Sequence, residues 1–201
     1  MNGSTPWKRS HPTPLLVLFA VVALSLVVGG VAAQAQEDGV PEAGQVQALT
    51  GHVAKGAGIF YTLPNLKQGQ MLTVHLARTS GNLDPFAGVT DAQIEGGALG
   101  EAFSGDVARV IASRRDPLEA LPEICDKYLL AWDDDRGAGY NAAFEFAIPA
   151  DGDYQLLVAK SPLQDTAGDF RLLVGIDAPQ VLSGEAQETG DTIAYLNEAN
   201  S

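Results

Sequence analysis

Apolar and polar residues alternate with a period of two over much of the chain. In Met71-Leu72-Thr73-Val74-His75-Leu76-Ala77, Leu72, Val74 and Leu76 share one face, and Thr73 and His75 share the other. In Asn141-Ala142-Ala143-Phe144-Glu145-Phe146-Ala147-Ile148, Phe144, Phe146 and Ile148 alternate with Glu145 and Ala147. This pattern predicts strands with one buried and one wet face. Similar runs cover 46–53, 58–63, 71–78, 86–90, 128–132, 142–148, 154–159 and 170–176, separated by compact turn signals. The expected fold class is all-β, an antiparallel jelly-roll β-sandwich of about eight strands.

One segment departs from that period. Between residues 92 and 127, Phe103, Val107, Val110 and Ile111 fall at helical spacing. Asp116-Pro117-Leu118-Glu119 then offers an N-cap, a proline at the first helical position and a capping-box acid. The segment predicts two short helices inserted between strands, either as a carrier of function or as a cover over one end of the sandwich.

The sequence repeats locally. Gly152-Asp153-Tyr154-Gln155-Leu156-Leu157-Val158 is echoed by Gly168-Asp169-Phe170-Arg171-Leu172-Leu173-Val174. Each Gly-Asp turn leads into an aromatic that opens a strand, so two adjacent strands with inward aromatics are expected. A looser echo links Leu182-Ser183-Gly184, Gly190 and Ile193-Ala194-Tyr195 to Leu49-Thr50-Gly51, Gly58 and Ile59-Phe60-Tyr61. On that basis, 181–201 is a linker or the start of a second module after a sandwich spanning 46–180.

The N-terminus changes the picture of where the chain works. Lys8 and Arg9 precede an apolar run from Leu15 to Val28, and Ala33-Gln34-Ala35 follows. A basic flank, an apolar core and a small-x-small site are the parts of a secretory signal peptide. Residues 1–35 are read as that leader, with an uncleaved anchor as the competing reading. Residues 36–45 form a polar, flexible lead-in. The location implied is periplasmic or otherwise extracytoplasmic.

The whole chain carries a net charge of −13. Without Lys8 and Arg9, ten basic residues face 25 acidic ones, a net charge of −15. Nucleic acid and anionic membrane surfaces are therefore poor partners. Cys125 is the only cysteine, so it forms no internal disulfide and reads as a small buried apolar residue.

The order of several short motifs resembles the bacterial pre-peptidase C-terminal domain family. They are Tyr61-Thr62-Leu63, Gly69-Gln70, Ser80-Gly81-Asn82-Leu83-Asp84-Pro85-Phe86, Asp133-Asp134-Asp135, Pro149-Ala150-Asp151-Gly152-Asp153-Tyr154 and Gly168-Asp169-Phe170. The likeness spans roughly 46–178. It implies an exported, non-catalytic accessory module, and related domains in some members bind calcium or extracellular polymers. The helical insertion departs from the family's usual short passage between the Asp-Pro-Phe strand and the acidic turn. The chain also resembles the extracytoplasmic N-terminal modules of bacterial membrane receptors, including sensor kinases, cyclases and some pentameric ligand-gated ion channels.

The chemistry concentrates in Ala131-Trp132-Asp133-Asp134-Asp135-Arg136-Gly137-Ala138-Gly139-Tyr140. Asp133 and Asp135 lie two apart and can point to one side, while Gly137 and Gly139 let carbonyls fold inward. With Asp84 and Asp153 they form a candidate calcium set, because a hard cation gathers carboxylate and carbonyl oxygens. Phe144 stands where an EF-hand needs its bidentate glutamate, and adjacent acids also serve turn backbones unaided. The cation site and the hydrated turn both stay open.

Gly-x-Ser-x-Gly, His-Glu-x-x-His and phosphate-loop signatures are missing from the sequence. His52 and His75 remain after the leader, and His75 reads as a solvated or cross-strand residue. The expected function is a non-catalytic accessory or sensor module, the regulatory N-terminal part of a larger receptor or channel. Its partners would be downstream domains of the same chain or a neighbouring subunit. The alternative is a free secreted module that binds a surface polymer or polypeptide.

Overall fold

A computed structural model describes residues 43–92, 96–113, 115–137, 139–186 and 197–198. The leader predicted over 1–35, residues 36–42 of the lead-in and most of 187–201 lie outside the described residues. The described chain is a two-sheet antiparallel sandwich with two helices inserted between strands.

The strands are β1 (Val46–Val53), β2 (Gly58–Leu66), β3 (Met71–Arg78), β4 (Pro85–Asp91), β5 (Ala131–Asp133), β6 (Ala142–Ala147), β7 (Gly152–Lys160), β8 (Gly168–Ile176) and β9 (Asn197–Glu198). The first sheet runs β1-β8-β3-β6 and the second β5-β4-β7-β2-β9. Every pairing is antiparallel. The predicted alternation holds where the core forms. Leu72, Val74, Leu76, Phe170, Leu172 and Val174 meet Leu63, Val89, Leu156 and Val158 from the other sheet, all of them fully buried. Close packing of such side chains supplies most of the fold's stabilisation.

Two expectations are corrected here. The echoing Gly-Asp-aromatic runs do place Tyr154 and Phe170 in the core. Their strands are not neighbours, however: β7 lies in the second sheet and β8 in the first. A shared motif therefore seeds one strand of each sheet. Of the two expectations for His75, solvated or cross-strand, the first is corrected: it sits across from Ala143 and Leu173 and is buried. A 3-10 turn over Pro179–Ser183 folds across the outer face of the first sheet and leaves His75 only 6% exposed. Val46, Leu173, Ala178, Val181 and Ala186 form a separate small core under that strap.

The insertion forms α1 (Gly96–Ala112) and α2 (Pro117–Tyr128). Asp116 caps α2 by accepting the Leu118 N–H at 2.9 Å, and Pro117 occupies the first turn, as the sequence predicts. Asp106 of α1 joins the helices by accepting from Lys127 Nζ at 2.7 Å and Tyr128 Oη at 2.6 Å. The Lys127 and Tyr128 hydrogen bonds hold its carboxyl down to about 2. Phe86, Leu99, Leu121, Cys125 and Leu129 pack the pair onto the outer face of the second sheet. Leu129 rests so closely on β4 that a Cβ at Gly88 would stand 2.7 Å from its Cδ1, which explains a glycine inside that strand. Among the described residues, no helix is long and apolar enough to cross a membrane.

Candidate binding cleft and acidic end

The ends of β4, β5 and β7 converge beside the helices. Asp133 pairs across from Ala87 of β4, whose side chain belongs to the sandwich core. Asp133 therefore turns inward and is only 3% exposed. Its Oδ2 accepts the Arg136 N–H at 2.9 Å and the Ala143 N–H at 2.7 Å. Ala143 belongs to β6 of the first sheet, so this one carboxylate closes the acidic turn and ties the two sheets together. Arg136 Nε lies 3.4 Å from the other oxygen.

Strand alternation sends the next residue the opposite way. Asp134 faces the helical layer, where its Oδ2 accepts from Ser161 Oγ at 3.0 Å. Its Oδ1 is buried with no hydrogen-bond partner. Asp84 stands just before β4, and its carbonyl accepts the Ser161 N–H at 2.7 Å. Asp135 is exposed beside them.

Their electrostatics follow from this placement. Burial pushes the Asp134 carboxyl up to about 7, against the Ser161 hydrogen bond, and the charges of Asp84, Asp135 and Asp133 add to the rise. Asp84 is raised by burial and then by Asp135, with Ser161 and Arg78 opposing. Asp133 is raised by burial, while its backbone hydrogen bonds pull the other way.

The sequence-predicted cation set divides in the structure. Asp84, Asp134 and Asp135 lie within reach of one another's charge. Asp133 is occupied by backbone donors, and Asp153 sits at the opposite end of β7 from Lys160, which pairs with Pro85. Extended chain puts Asp153 roughly 20 Å from Asp84. There its Oδ1 accepts the Asn65 N–H at 2.8 Å. Asp134, the member that joins Asp84 through Ser161, is the one the sequence reading passed over. Trp132 could have identified it, since a tryptophan packed on the helical side fixes the phase of the two residues that follow. The oxygen donors suit a hard cation. Among the described residues, though, no three His, Cys, Asp or Glu side chains are grouped to hold a metal ion.

A cleft of about 600 Å³ opens against this acidic end. Its floor is Phe60, Phe86, Leu157 and Ala159 of the second sheet, and its wall is α1 from Leu99 to Ile111. Lys160 and Pro162 line the end that adjoins Ser161 and hence Asp84 and Asp134. Phe86 stacks on Trp132 with ring centroids 6.1 Å apart, so the aromatic floor continues to the strand that carries the acids. Ile111 remains 56% exposed at the far end. Gly100 lines this wall, and a Cβ there would meet nothing within 4 Å. Sequence periodicity identified α1 but not the cleft, since a cavity depends on how two distant elements approach.

The two described histidines lie elsewhere. His52 Nδ1 is 2.7 Å from Asp169 Oδ1 on the first sheet, and His75 is buried under the strap. The acidic loop ends in Tyr140, 72% exposed with φ 65°. That left-handed conformation costs a non-glycine residue about 1 kcal/mol.

No family model matches the chain, and no curated protein does. Among solved structures it is similar to PliG of Aeromonas hydrophila, a periplasmic lysozyme inhibitor of g-type lysozyme, with TM-score 0.42 and 17% identity over 68% of this chain and 96% of that one. It is similar also to the PliG of Salmonella Typhimurium, with TM-score 0.37 and 12% identity over 68% and 95% of the two chains. The pre-peptidase C-terminal domain of a Bacillus anthracis collagenase gives TM-score 0.36 and 11% identity over 69% of this chain and 95% of that one.

Proposed function

We propose that this chain is an exported, non-catalytic binding module that takes its ligand in the cleft between α1 and the second sheet. The observation that carries the reading is the cleft itself, an apolar recess built by an insertion that the sandwich does not need for closure. Ligand sites are concave, mostly apolar and bordered by a few polar groups, and the acidic end supplies such groups. The N-terminal basic flank, apolar run and Ala33-Gln34-Ala35 support export. A non-catalytic role agrees with the placement of His52 and His75, neither of which faces the cleft or the acids. The receptor-module reading uses the same surface within a longer chain. Continuation of the coding sequence past Ser201 into membrane-spanning helices is the observation that would select it.

Nile red, an uncharged apolar dye, tests the cleft directly. The folded chain should enhance its fluorescence, and Gly100→Leu should abolish the enhancement by filling the space beside α1. An undiminished signal from a folded Gly100→Leu chain would remove the cleft as the site.

A second reading has one specific observation behind it, the partnerless buried Oδ1 of Asp134. In this reading a calcium ion bridges Asp84 and Asp134, with Asp135 nearby and water completing the shell. An ion that binds only the folded state raises the melting temperature. Melts that coincide in millimolar calcium and in chelator would dispose of it.

A further inference from the structure

We infer that the cleft accepts a basic amphipathic polypeptide segment, its apolar side chains lying between α1 and the second sheet and its cationic side chains reaching the acidic end. The inference rests on the reading of the cleft as the binding site and specifies the class of ligand. Two features of the surface meet at Ser161. On one side, Pro162 and the alkyl stem of Lys160 border the recess. On the other, the hydroxyl and N–H of Ser161 bind Asp134 and the Asp84 carbonyl.

A ligand that fills the recess therefore ends beside Asp84, Asp134 and the exposed Asp135. Asp84 has Arg78 among its electrostatic neighbours, but Arg78 Nη1 donates to the Leu83 carbonyl at 3.2 Å. Arg136 lies against Asp133, and Lys160 at the mouth of the cleft donates from Nζ to the Gln164 carbonyl at 2.6 Å. The net charge of −13 extends the same preference over the whole molecule and speeds encounter with a cationic partner. An anionic amphiphile would meet repulsion where its head must sit. An apolar segment in a groove is a common mode of peptide recognition, and flanking charge decides which segment enters.

Three labelled synthetic peptides of ~14 residues test the inference by fluorescence anisotropy on the whole chain: an amphipathic Leu/Lys sequence, its Leu/Glu counterpart and a Ser/Lys sequence of equal charge. The Leu/Lys peptide should bind, with the other two at least ~10-fold weaker. Gly100→Leu should weaken it by a similar factor although the charge is unchanged. Asp84→Asn/Asp135→Asn should weaken it several-fold and flatten its salt dependence. Circular dichroism confirms that each variant folds, and Ala108→Trp is the alternative block at the same wall.

Equal binding of the Leu/Glu and Leu/Lys peptides would overturn the cationic preference and leave the cleft reading standing. Equal binding of the Ser/Lys peptide, or Leu/Lys binding that survives both blocking variants, would overturn the cleft as its seat. Failure of all three peptides, with the Nile red enhancement still abolished by Gly100→Leu, would overturn the polypeptide ligand alone.

Discussion

Ser161 Oγ donates to Asp134 Oδ2 at 3.0 Å, and this one bond links the end of β7 to the acidic turn after β5. It opposes the burial that pushes this carboxyl up to about 7. In the unfolded chain the same carboxyl titrates near 3.8. The folded state thus holds a proton that the unfolded state has lost, and stability falls as pH rises from about 4 to about 7. Above that range the penalty is fully present, and below it the penalty is gone. Asp134→Asn keeps the acceptor for Ser161 and removes the charge. It should stabilise the chain by roughly 1–3 kcal/mol at pH 8, allowing for the side chain's partial exposure, and by almost nothing at pH 4. Thermal melts across pH measure this. A variant gain that is the same at both pH values would contradict the assignment. Calcium bound at Asp134 would depress the carboxyl and flatten the wild-type slope, which separates the two states of the site in one titration.

Asp133 should respond in a different way. Both of its backbone donors, Arg136 N–H and Ala143 N–H, use Oδ2, and an asparagine oxygen can replace that atom. Asp133→Asn should cost under about 1 kcal/mol, since the Arg136 partner is exposed and such pairs contribute little. Asp133→Ala orphans two part-buried N–H groups and should cost about 2 kcal/mol, a drop of roughly 4–8 °C in Tm. Denaturant melts of the two variants are the check. A large loss in Asp133→Asn, restored by calcium, would mean that the residue is a ligand after all.

How far the sequence carried depended on what each feature required. The period of two in β3 and β6 places side chains on faces without any knowledge of neighbours, so the strands and much of the core were legible. The cap Asp116-Pro117 was legible for the same reason, because its bond is local. Partners distant in sequence were not. The exposed-looking phase of His75 is correct as geometry, yet its face is covered by a strap more than a hundred residues later. The acidic stretch shows the same limit. The alternation that splits Asp133 from Asp134 was available in the residues, but which side carries helices and which the core was set by the approach of α2 to Trp132. The pairing of Asp84 with Asp134 through Ser161 spans three strands, and no local pattern contains it.

The strap makes its own prediction. Gly184 has φ 72°, and a Cβ there would fall 2.5 Å from His75 Cε1. Arg171 holds the strap by donating to the Gly184 and Ala186 carbonyls at 3.1 and 3.2 Å. Gly184→Ala combines a left-handed backbone with a clash, so it should destabilise by about 2 kcal/mol or more. Burial, and then the Arg171 charge, lower the His75 imidazole below 6.5. The unfolded chain therefore takes up this proton first as pH falls. Stability from this group is fully present above pH 6.5 and declines below it. Protection factors of 178–186, corrected for the slower intrinsic exchange at low pH, should fall between pH 7 and 5 in the wild type and be less pH-sensitive in His75→Gln. Equal pH sensitivity in both would assign the effect to another group.

Cys125 reports on the helical layer without any substitution. It is buried between α2 and the second sheet. Burial, then the charges of Asp134 and Asp126, push its thiol up to about 12. Thiolate is the reactive form, so in the native state the residue should be nearly inert toward alkylating reagents at pH 8. Labelling then requires α2 to lift from Phe86 and Leu129, and its rate measures that opening rather than the chemistry of the thiol. Iodoacetamide mass labelling should be slow for the folded chain and faster by several orders of magnitude in denaturant. A ligand seated against α1 and Phe86 should slow native labelling further, because it binds the closed layer and not the opened one. Protection by the Leu/Lys peptide that is lost in Gly100→Leu would connect cleft occupancy to the stability of the insertion. Fast native labelling would instead show that the helices leave the sheet readily, and the cleft could then not persist as a preformed recess.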